Sequence, residues 1–239
     1  MSKVVILGDG LLGSELQNQT KWDFLSRKHH GFDITNPKSF NLLLKTFDGV
    51  AQEVKYTTIV NCIANTNTYS DNKKEHWDVN YKGVADLVDF CNINNIKLVH
   101  ISTDYVYTNS TNISSEDSIP IHGNNWYSYS KLLGDSYIEL KSNNYLICRG
   151  THKPTPFPYN NAWVDQIGNF DYVDVISNLI VQLINNGCVG VFNVGTDIKT
   201  MYNLASQTST PSPLLSPSNV PHNTSMNLNK LKHALKATY

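Results

Sequence analysis

The run Lys3-Val4-Val5-Ile6-Leu7, followed at once by Gly8-Asp9-Gly10-Leu11-Leu12-Gly13, constrains this chain more than any other stretch. A short apolar, β-branched run reads as a strand buried on both faces. Helix-like sequence follows the glycines through Gln17. Strand, glycine turn and helix form the context in which G-x-G-x-x-G spacing signals a dinucleotide site. The glycines permit a tight turn and let backbone N–H groups approach a pyrophosphate at the helix N-terminus. A plain strand-to-helix turn is the bland alternative for a glycine triplet, and the flanking pattern favours the binding reading.

Trp22 to Ser26 reads as the second strand and runs into Ser26-Arg27-Lys28-His29-His30. A site for an unphosphorylated ribose usually places an acidic residue here. This chain places a hydroxyl and several cations, which suits a 2′-phosphate, so Ser26 and Arg27 are candidates and NADPH is expected over NADH. A solvated basic loop is the alternative. Phe32-Asp33-Ile34-Thr35 reads as a short edge strand, and Asn36-Pro37 opens the next helix. Thr57 to Ala64 is another strand, ending in the polar loop Asn65 to Asp71. A long helix over Lys74 to Asn92 carries Trp77, Val84, Leu87, Val88 and Cys91 as an apolar core face. The strand Lys97 to Ile101 follows, then a polar loop over 108–125, a helix from Trp126 with Leu133, Tyr137 and Leu140 as its packing stripe, and the strand Tyr145 to Arg149.

Strand and helix alternate through about residue 150. That pattern predicts an α/β fold of Rossmann type, a doubly wound parallel sheet with right-handed crossovers. Residues 1–150 are the expected NAD(P)-binding domain, and 151–239 a small C-terminal substrate-binding portion interleaved with it. In that portion Phe170 to Asn185 reads as a helix with a strand-like start, Gly190 to Val194 as a strand, Thr200 to Thr208 as a short helix and Leu228 to Leu235 as the last helix. Residues 200–229 contain no Asp, Glu, Lys or Arg and are rich in Ser, Thr and Pro. Such a stretch is either a mobile linker or a loop packed on the domain.

A chain of 239 residues can bury a substantial core. Its formal net charge of -1 gives no global field for nucleic acid or an acidic membrane. Cys62, Cys91, Cys148 and Cys188 sit in apolar runs without C-x-x-C spacing, as buried thiols in a reducing compartment do, and no metal site is expected. Met1-Ser2-Lys3 leads straight into the first strand without a signal-peptide pattern, and no run approaches a membrane span. A cytoplasmic location is expected.

Chemistry points to Tyr127 and Lys131. Four residues apart on a helix, they share one face. A tyrosine has an ordinary pKa of about 10, and a nearby ammonium would pull it toward the working range. Thr103 ends the Lys97–Ile101 strand, where an open α/β sheet faces its ligand crevice, and its hydroxyl could hold a substrate oxygen while Tyr127 moves the proton. The same spacing also occurs on ordinary helix surfaces. Tyr129 is an internal control, with Leu133 four residues on.

In order along the chain, the glycine turn, Asn61-Cys-Ile-Ala, Ile101-Ser-Thr-Asp-Tyr-Val-Tyr107, Tyr127-x-x-x-Lys131 and Phe170-Asp-Tyr-Val-Asp174 resemble the extended short-chain dehydrogenases/reductases. They look most like the dTDP-4-dehydrorhamnose reductase branch, which acts on nucleotide-linked 4-keto-6-deoxy sugars. The resemblance is good over 1–150 and patchy beyond. It implies NADPH-dependent reduction of a sugar C4 ketone in deoxysugar or rhamnose biosynthesis, with NADH as a second donor and a nucleotide sugar as partner. By that resemblance Tyr127 protonates the alkoxide, Thr103 binds the same oxygen, and Lys131 holds the nicotinamide ribose. Gly8, Gly10, Leu11, Leu12 and Gly13 underlie the pyrophosphate, Asp33 and Ile34 the adenine, and Ile63, Ala64 and Asn65 the ribose, while Asn80 braces the sheet. Asp104, Tyr105, His152 and Lys153 are the expected substrate contacts. A homodimer would pair through the two long helices.

Several positions depart from the family. Its turn is commonly G-x-x-G-x-x-G, and here Leu7 holds the first position. Sugar-nucleotide 4,6-dehydratases resemble Thr-Asp-Glu where this chain has Tyr105, and epimerase/reductases such as GDP-fucose synthase place a cysteine near 104, here Asp104. Both differences favour simple reduction. The chain is shorter than typical members between Arg149 and Phe170. The alternatives are a sugar-nucleotide epimerase or epimerase/reductase of the same fold, and a non-catalytic nucleotide-binding regulatory protein, since the regulatory subunit of methionine adenosyltransferase resembles this branch too.

Overall fold

The computed structural model describes residues 3–47, 50–107, 113–118 and 125–236. Most of the polar loop expected over 108–125 lies outside the described residues, as do Met1 and Ser2. Six strands form the central sheet: β1 (Val4–Leu7), β2 (Asp23–Leu25), β3 (Thr58–Asn61), β4 (Lys97–Ile101), β5 (Tyr145–Arg149) and β6 (Gly190–Asn193). Their order is β6-β5-β4-β3-β1-β2, and every neighbouring pair is parallel. The α/β, Rossmann-type expectation is met. Alternation along β1 shows the two buried faces directly, with Val4 and Ile6 in one core and Val5 and Leu7 in the other.

Helix α1 (Leu11–Thr20) and helix α4 (Val173–Asn185) pack together on one face. The other face carries α2 (Gly83–Ile93) and α3 (Trp126–Lys141). The last helix, α5 (Asn229–Lys236), packs on β6 and α4. Strand order reverses at β1, with β2 on one side and β3 on the other, which opens a crevice at the C-terminal strand ends.

Several local expectations change. Phe32–Thr35 is not a strand, because Asp33 Oδ1 accepts from Thr35 N at 2.9 Å and Thr35 Oγ1 at 2.7 Å, closing a turn that competes with strand pairing. Asn36 does cap a helix, but a 3₁₀ helix over Pro37–Leu43, which runs into an antiparallel pair of strands, Leu44–Phe47 with Val50–Val54. The long helix expected from Lys74 starts at Lys73 and passes through a π-helical stretch, Trp77–Lys82, into α2. The wider turn rotates Trp77 away from the Val84, Leu87, Val88 and Cys91 stripe by roughly one residue's 100°. Trp77 is therefore 47% exposed while those four are buried.

Helix α3 differs most. Leu140, expected in its packing stripe, is 81% exposed, while Lys131, Gly134, Asp135 and Ile138 form the buried face. A Cβ at Gly134 would lie 2.5 Å from the Asn80 carbonyl oxygen, so the absence of a side chain sets how closely α3 approaches its neighbour. The charge-free stretch is packed rather than a linker: Met201, Leu204, Val220, Met226 and Leu228 are buried, and Thr224 donates to Asp104 at 2.8 Å. Within it Asn223–Thr224 pairs with Ile167–Gly168, and nearby His152–Lys153 pairs with Asp171–Tyr172.

Replacing Gly134 by Ala should cost about 1–3 kcal/mol through overpacking, whereas Leu140→Ala should stay within about 0.5 kcal/mol as a surface change. Chemical denaturation of the two variants checks the pair.

Candidate functional site

The crevice begins at the glycine turn. Gly8 has φ +100°, a conformation that L side chains rarely adopt. Gly13 lies against it, so that a Cβ there would sit 2.1 Å from the Gly8 carbonyl oxygen. Gly10, by contrast, meets nothing within 4 Å and leaves the start of α1 open. A cavity of about 730 Å³ runs from this turn past Arg27, Asp33, Ile34, Ile63, Ala64 and Asn65. A second, of about 420 Å³, is lined by Leu11, Leu12, Gly13, Thr103, Tyr105, Tyr127, Lys131, His152 and Lys153. Gly10, Cys62, Ala64 and Thr66 line both, which makes one trough over the sheet's switch point.

At its first end Arg27 Nη2 lies 2.8 Å from Asp33 Oδ2, with the Arg27 side chain 70% exposed. Burial would raise the Asp33 pKa, but hydrogen bonds from Thr35 and Arg27 hold it below the usual carboxylate range. Ser26 does not reach the trough. It is 1% exposed and its Oγ accepts from His29 N, capping the one-turn helix Arg27–His30. Asn80 is also buried, bonding both ends of the Asn65 peptide and Ser130 Oγ at 3.0 Å, so it braces the loop after β3.

At the other end Thr103 hydrogen-bonds the Tyr127 hydroxyl. The Tyr105 and Tyr127 rings meet edge-on, centroids 6.1 Å apart. Gln166 Nε2 donates to Tyr105 Oη at 3.1 Å. Burial pushes the Tyr127 hydroxyl up to about 12, against the Thr103 hydrogen bond and with the help of Asp104 and Asp135. This reverses the expected lowering by Lys131. The Lys131 Nζ instead donates to Ile101 O at 2.7 Å and lies 3.0 Å from His100 Nε2. Burial brings Lys131 down to about 8, against the opposing pull of Asp135 and Cys62. Burial, then Lys153, lowers His152 to about 4, so His152 is neutral at pH 7. Asp104, expected on the substrate wall, is fully buried and accepts from Thr151 Oγ1 at 2.6 Å and Thr224 Oγ1 at 2.8 Å. It ties the C-terminal portion to the end of β4.

Sequence reasoning missed the polar floor. Asp135 Oδ2 accepts from Ser102 Oγ at 2.8 Å and Arg149 Nε at 2.9 Å. Arg149 also reaches Glu139 and Tyr107, and Tyr107 donates to Asn193 at 2.9 Å. The signal was present: Asn61, His100 and Arg149 are polar residues inside apolar strands, and Asn61 and His100 are cross-strand partners.

Residues 2–152 match the family model described as RmlD substrate binding domain. The chain belongs to this family, an extended short-chain dehydrogenase/reductase branch. Among solved structures it is similar to dTDP-4-dehydrorhamnose reductase from Bacillus anthracis str. Ames in complex with NADP, at 22% identity and a TM-score of 0.80 over 97% of this chain and 92% of that one. It is also similar to a dTDP-4-dehydrorhamnose reductase from Clostridium acetobutylicum ATCC 824, at 19% identity and a TM-score of 0.77 over 98% and 92% of the chains. A third is the Bordetella bronchiseptica enzyme WbmH in complex with NAD+, at 15% identity and a TM-score of 0.74 over 96% and 89%. At these identities the likeness is one of fold. No curated protein matches the sequence.

Between about pH 8 and the ordinary lysine value of about 10.4, the unfolded chain holds a proton on Lys131 that the folded chain has released. The contribution of this group to stability therefore rises with pH across that window. The unfolding free energy of wild type relative to Lys131→Met should climb by up to about 3 kcal/mol there, measured by denaturant titration at each pH.

Proposed function

We propose that the protein is an NADPH-dependent reductase of the C4 ketone of a nucleotide-linked 4-keto-6-deoxy sugar, dTDP-4-dehydrorhamnose reductase-like, in deoxysugar or rhamnose biosynthesis. It is an oxidoreductase of the extended short-chain dehydrogenase/reductase class. The observation that carries the reading is that Thr103, Tyr127 and Lys131 line the same trough that begins at the glycine turn.

The trough fits a dinucleotide: Gly10 leaves open space over the start of α1, where unpaired backbone N–H groups can meet a pyrophosphate. Gly8, Leu11, Leu12 and Gly13 would complete that cradle. Asp33 and Ile34 would hold the adenine, Arg27 the 2′-phosphate, Ile63, Ala64 and Asn65 the ribose, and Lys131 the nicotinamide ribose, with NADH as the second donor. When bound, NADPH supplies the hydride. Tyr127, pushed up to about 12, arrives protonated, the state an acid in a reduction must start from. Its Oη–H gives the proton to the substrate oxygen as negative charge develops there, and Thr103 Oγ1 hydrogen-bonds that oxygen. Tyr105, His152 and Lys153 form the sugar-nucleotide wall, where burial keeps Lys153 below its ordinary pKa against the pull of Asp104. Asp104 is spent on Thr151 and Thr224, which leaves it unsuited to the acid–base role of an epimerase and favours simple reduction.

Residues 1–150 act as the cofactor domain and 151–239 as the substrate portion, interleaved through β6. Exposed Trp77 and Leu140 on the long helices suit a homodimer. Among the described residues no helix is long and apolar enough to cross a membrane, and the four cysteines are free, which suits a cytoplasmic location.

Calorimetric titration with NADPH, NADH, dTDP, UDP and GDP tests the reading: tight NADPH binding with one preferred nucleotide is expected, and binding of neither class would overturn it. Tyr127→Phe should lower turnover roughly 100- to 10,000-fold with NADPH affinity nearly unchanged. Arg27→Ala should weaken NADPH roughly tenfold and spare NADH.

A further inference from the structure

Beneath the trough, the ends of β3 and β4 carry Asn61 and His100 as direct cross-strand partners, both fully buried. Ile63 N–H donates to Asn61 Oδ1 at 3.1 Å. A backbone N–H can be accepted only by the carbonyl end of the amide, so the amide is pinned with Nδ2 toward His100 Nδ1, at 3.2 Å. An NH₂ group only donates, which makes Nδ1 the unprotonated, accepting nitrogen. The one proton of a neutral imidazole then sits on Nε2. That nitrogen lies 3.0 Å from Lys131 Nζ and 3.9 Å from Asp135 Oδ1. Facing an ammonium, Nε2–H would be donor against donor. Facing an amine, it meets a lone pair.

We infer that Asn61 and His100 are positioning residues that set the charge of Lys131: the pinned amide makes the imidazole an Nε2–H donor, and that donor favours Lys131 as the neutral amine. The ammonium requires the imidazole proton to move to Nδ1, where it faces the Asn61 NH₂. The other route flips the amide and turns that NH₂ toward Ile63 N–H. Either arrangement leaves a buried donor unmet. The charge of Lys131 and the tautomer of His100 therefore change together.

Lys131 meets His100 and the Ile101 carbonyl from β4 and shares its cavity wall with Cys62 beyond β3, Thr103 beyond β4 and Tyr127 on its own helix. Its charge is favoured by Asp135, which lies on the same helix and is itself held by Arg149 from β5, and by Cys62. Arg149 and Ser102 occupy Asp135 Oδ2, and Oδ1 has no hydrogen-bond partner among the described residues. Burial acts in the same direction as the amide, lowering Lys131 to about 8, and burial together with the Lys131 charge holds His100 well below the ordinary histidine value. For its catalytic consequence, a pH above which the Lys131 ammonium is missing, the inference rests on the reductase reading. The tautomer itself does not.

Imidazole and lysine ¹⁵N NMR on the whole protein tests it, from about pH 6 to about pH 10, with His100 assigned from the signal lost in His100→Phe or, if that variant does not fold, His100→Gln. The expected result is an Nε2–H tautomer on the alkaline side that gives way as Lys131 takes up its proton, both with one midpoint well below the lysine value of about 10.4. Asn61→Asp presents an acceptor to Nδ1, so it should reverse the tautomer and raise the Lys131 midpoint by about one unit or more. An Nδ1–H tautomer throughout, a Lys131 midpoint at the ordinary value, or an unchanged tautomer in Asn61→Asp would each overturn the inference. The readout needs no turnover. Full activity in Tyr127→Phe with the expected tautomer would remove the reductase reading alone, and the opposite pair of results would remove only this one.

Discussion

Two cations, Lys131 and Arg149, are buried between α3 and the strand ends, with the Asp135 carboxylate between them. Taking such charges out of water costs several kcal/mol per ion unless partners replace the lost hydration. Arg149 obtains Asp135, Glu139 and Tyr107. Lys131 is left with a carbonyl and an imidazole, which is why its charge is weakly held. The packing of α3 follows from the same requirement. Its buried face is the one that carries these groups, and Gly134 lets that face come close to Asn80.

The trough depends on this floor and on two further ties. Strand order reverses at β1, which keeps the strand ends open above the sheet. Asp104 then fastens Thr151 and Thr224 to the end of β4, so the C-terminal portion is drawn against the same opening. Tyr127 stands at that junction, with Thr103 on its hydroxyl and Tyr105 edge-on beside it. Desolvation in this cleft keeps the phenol protonated, so burial rather than a neighbouring cation governs its acidity.

The sheet was legible in the sequence because its strands are short apolar runs, and hydrophobic period is a local property. The glycine turn was legible for the same reason, since a left-handed φ at Gly8 and a close approach at Gly13 admit only one residue type without strain. Trp77 and Leu140 misled because a π-helical turn and a small-residue crossing shift the buried face without changing apolar spacing. Ser26 looked like a ligand contact by composition, yet a helix N-terminus claimed its hydroxyl first.

By itself the sequence determined the strand–turn–helix alternation, the parallel sheet it implies, and the residues Thr103, Tyr127 and Lys131 that share a trough wall. Tertiary structure decided what those residues can do. Whether Lys131 is charged depends on Asn61 and His100 from two other strands, and whether Asp104 meets solvent depends on Thr224, 120 residues away in the chain. Proton affinity is a property of the surroundings, and only the folded chain supplies them.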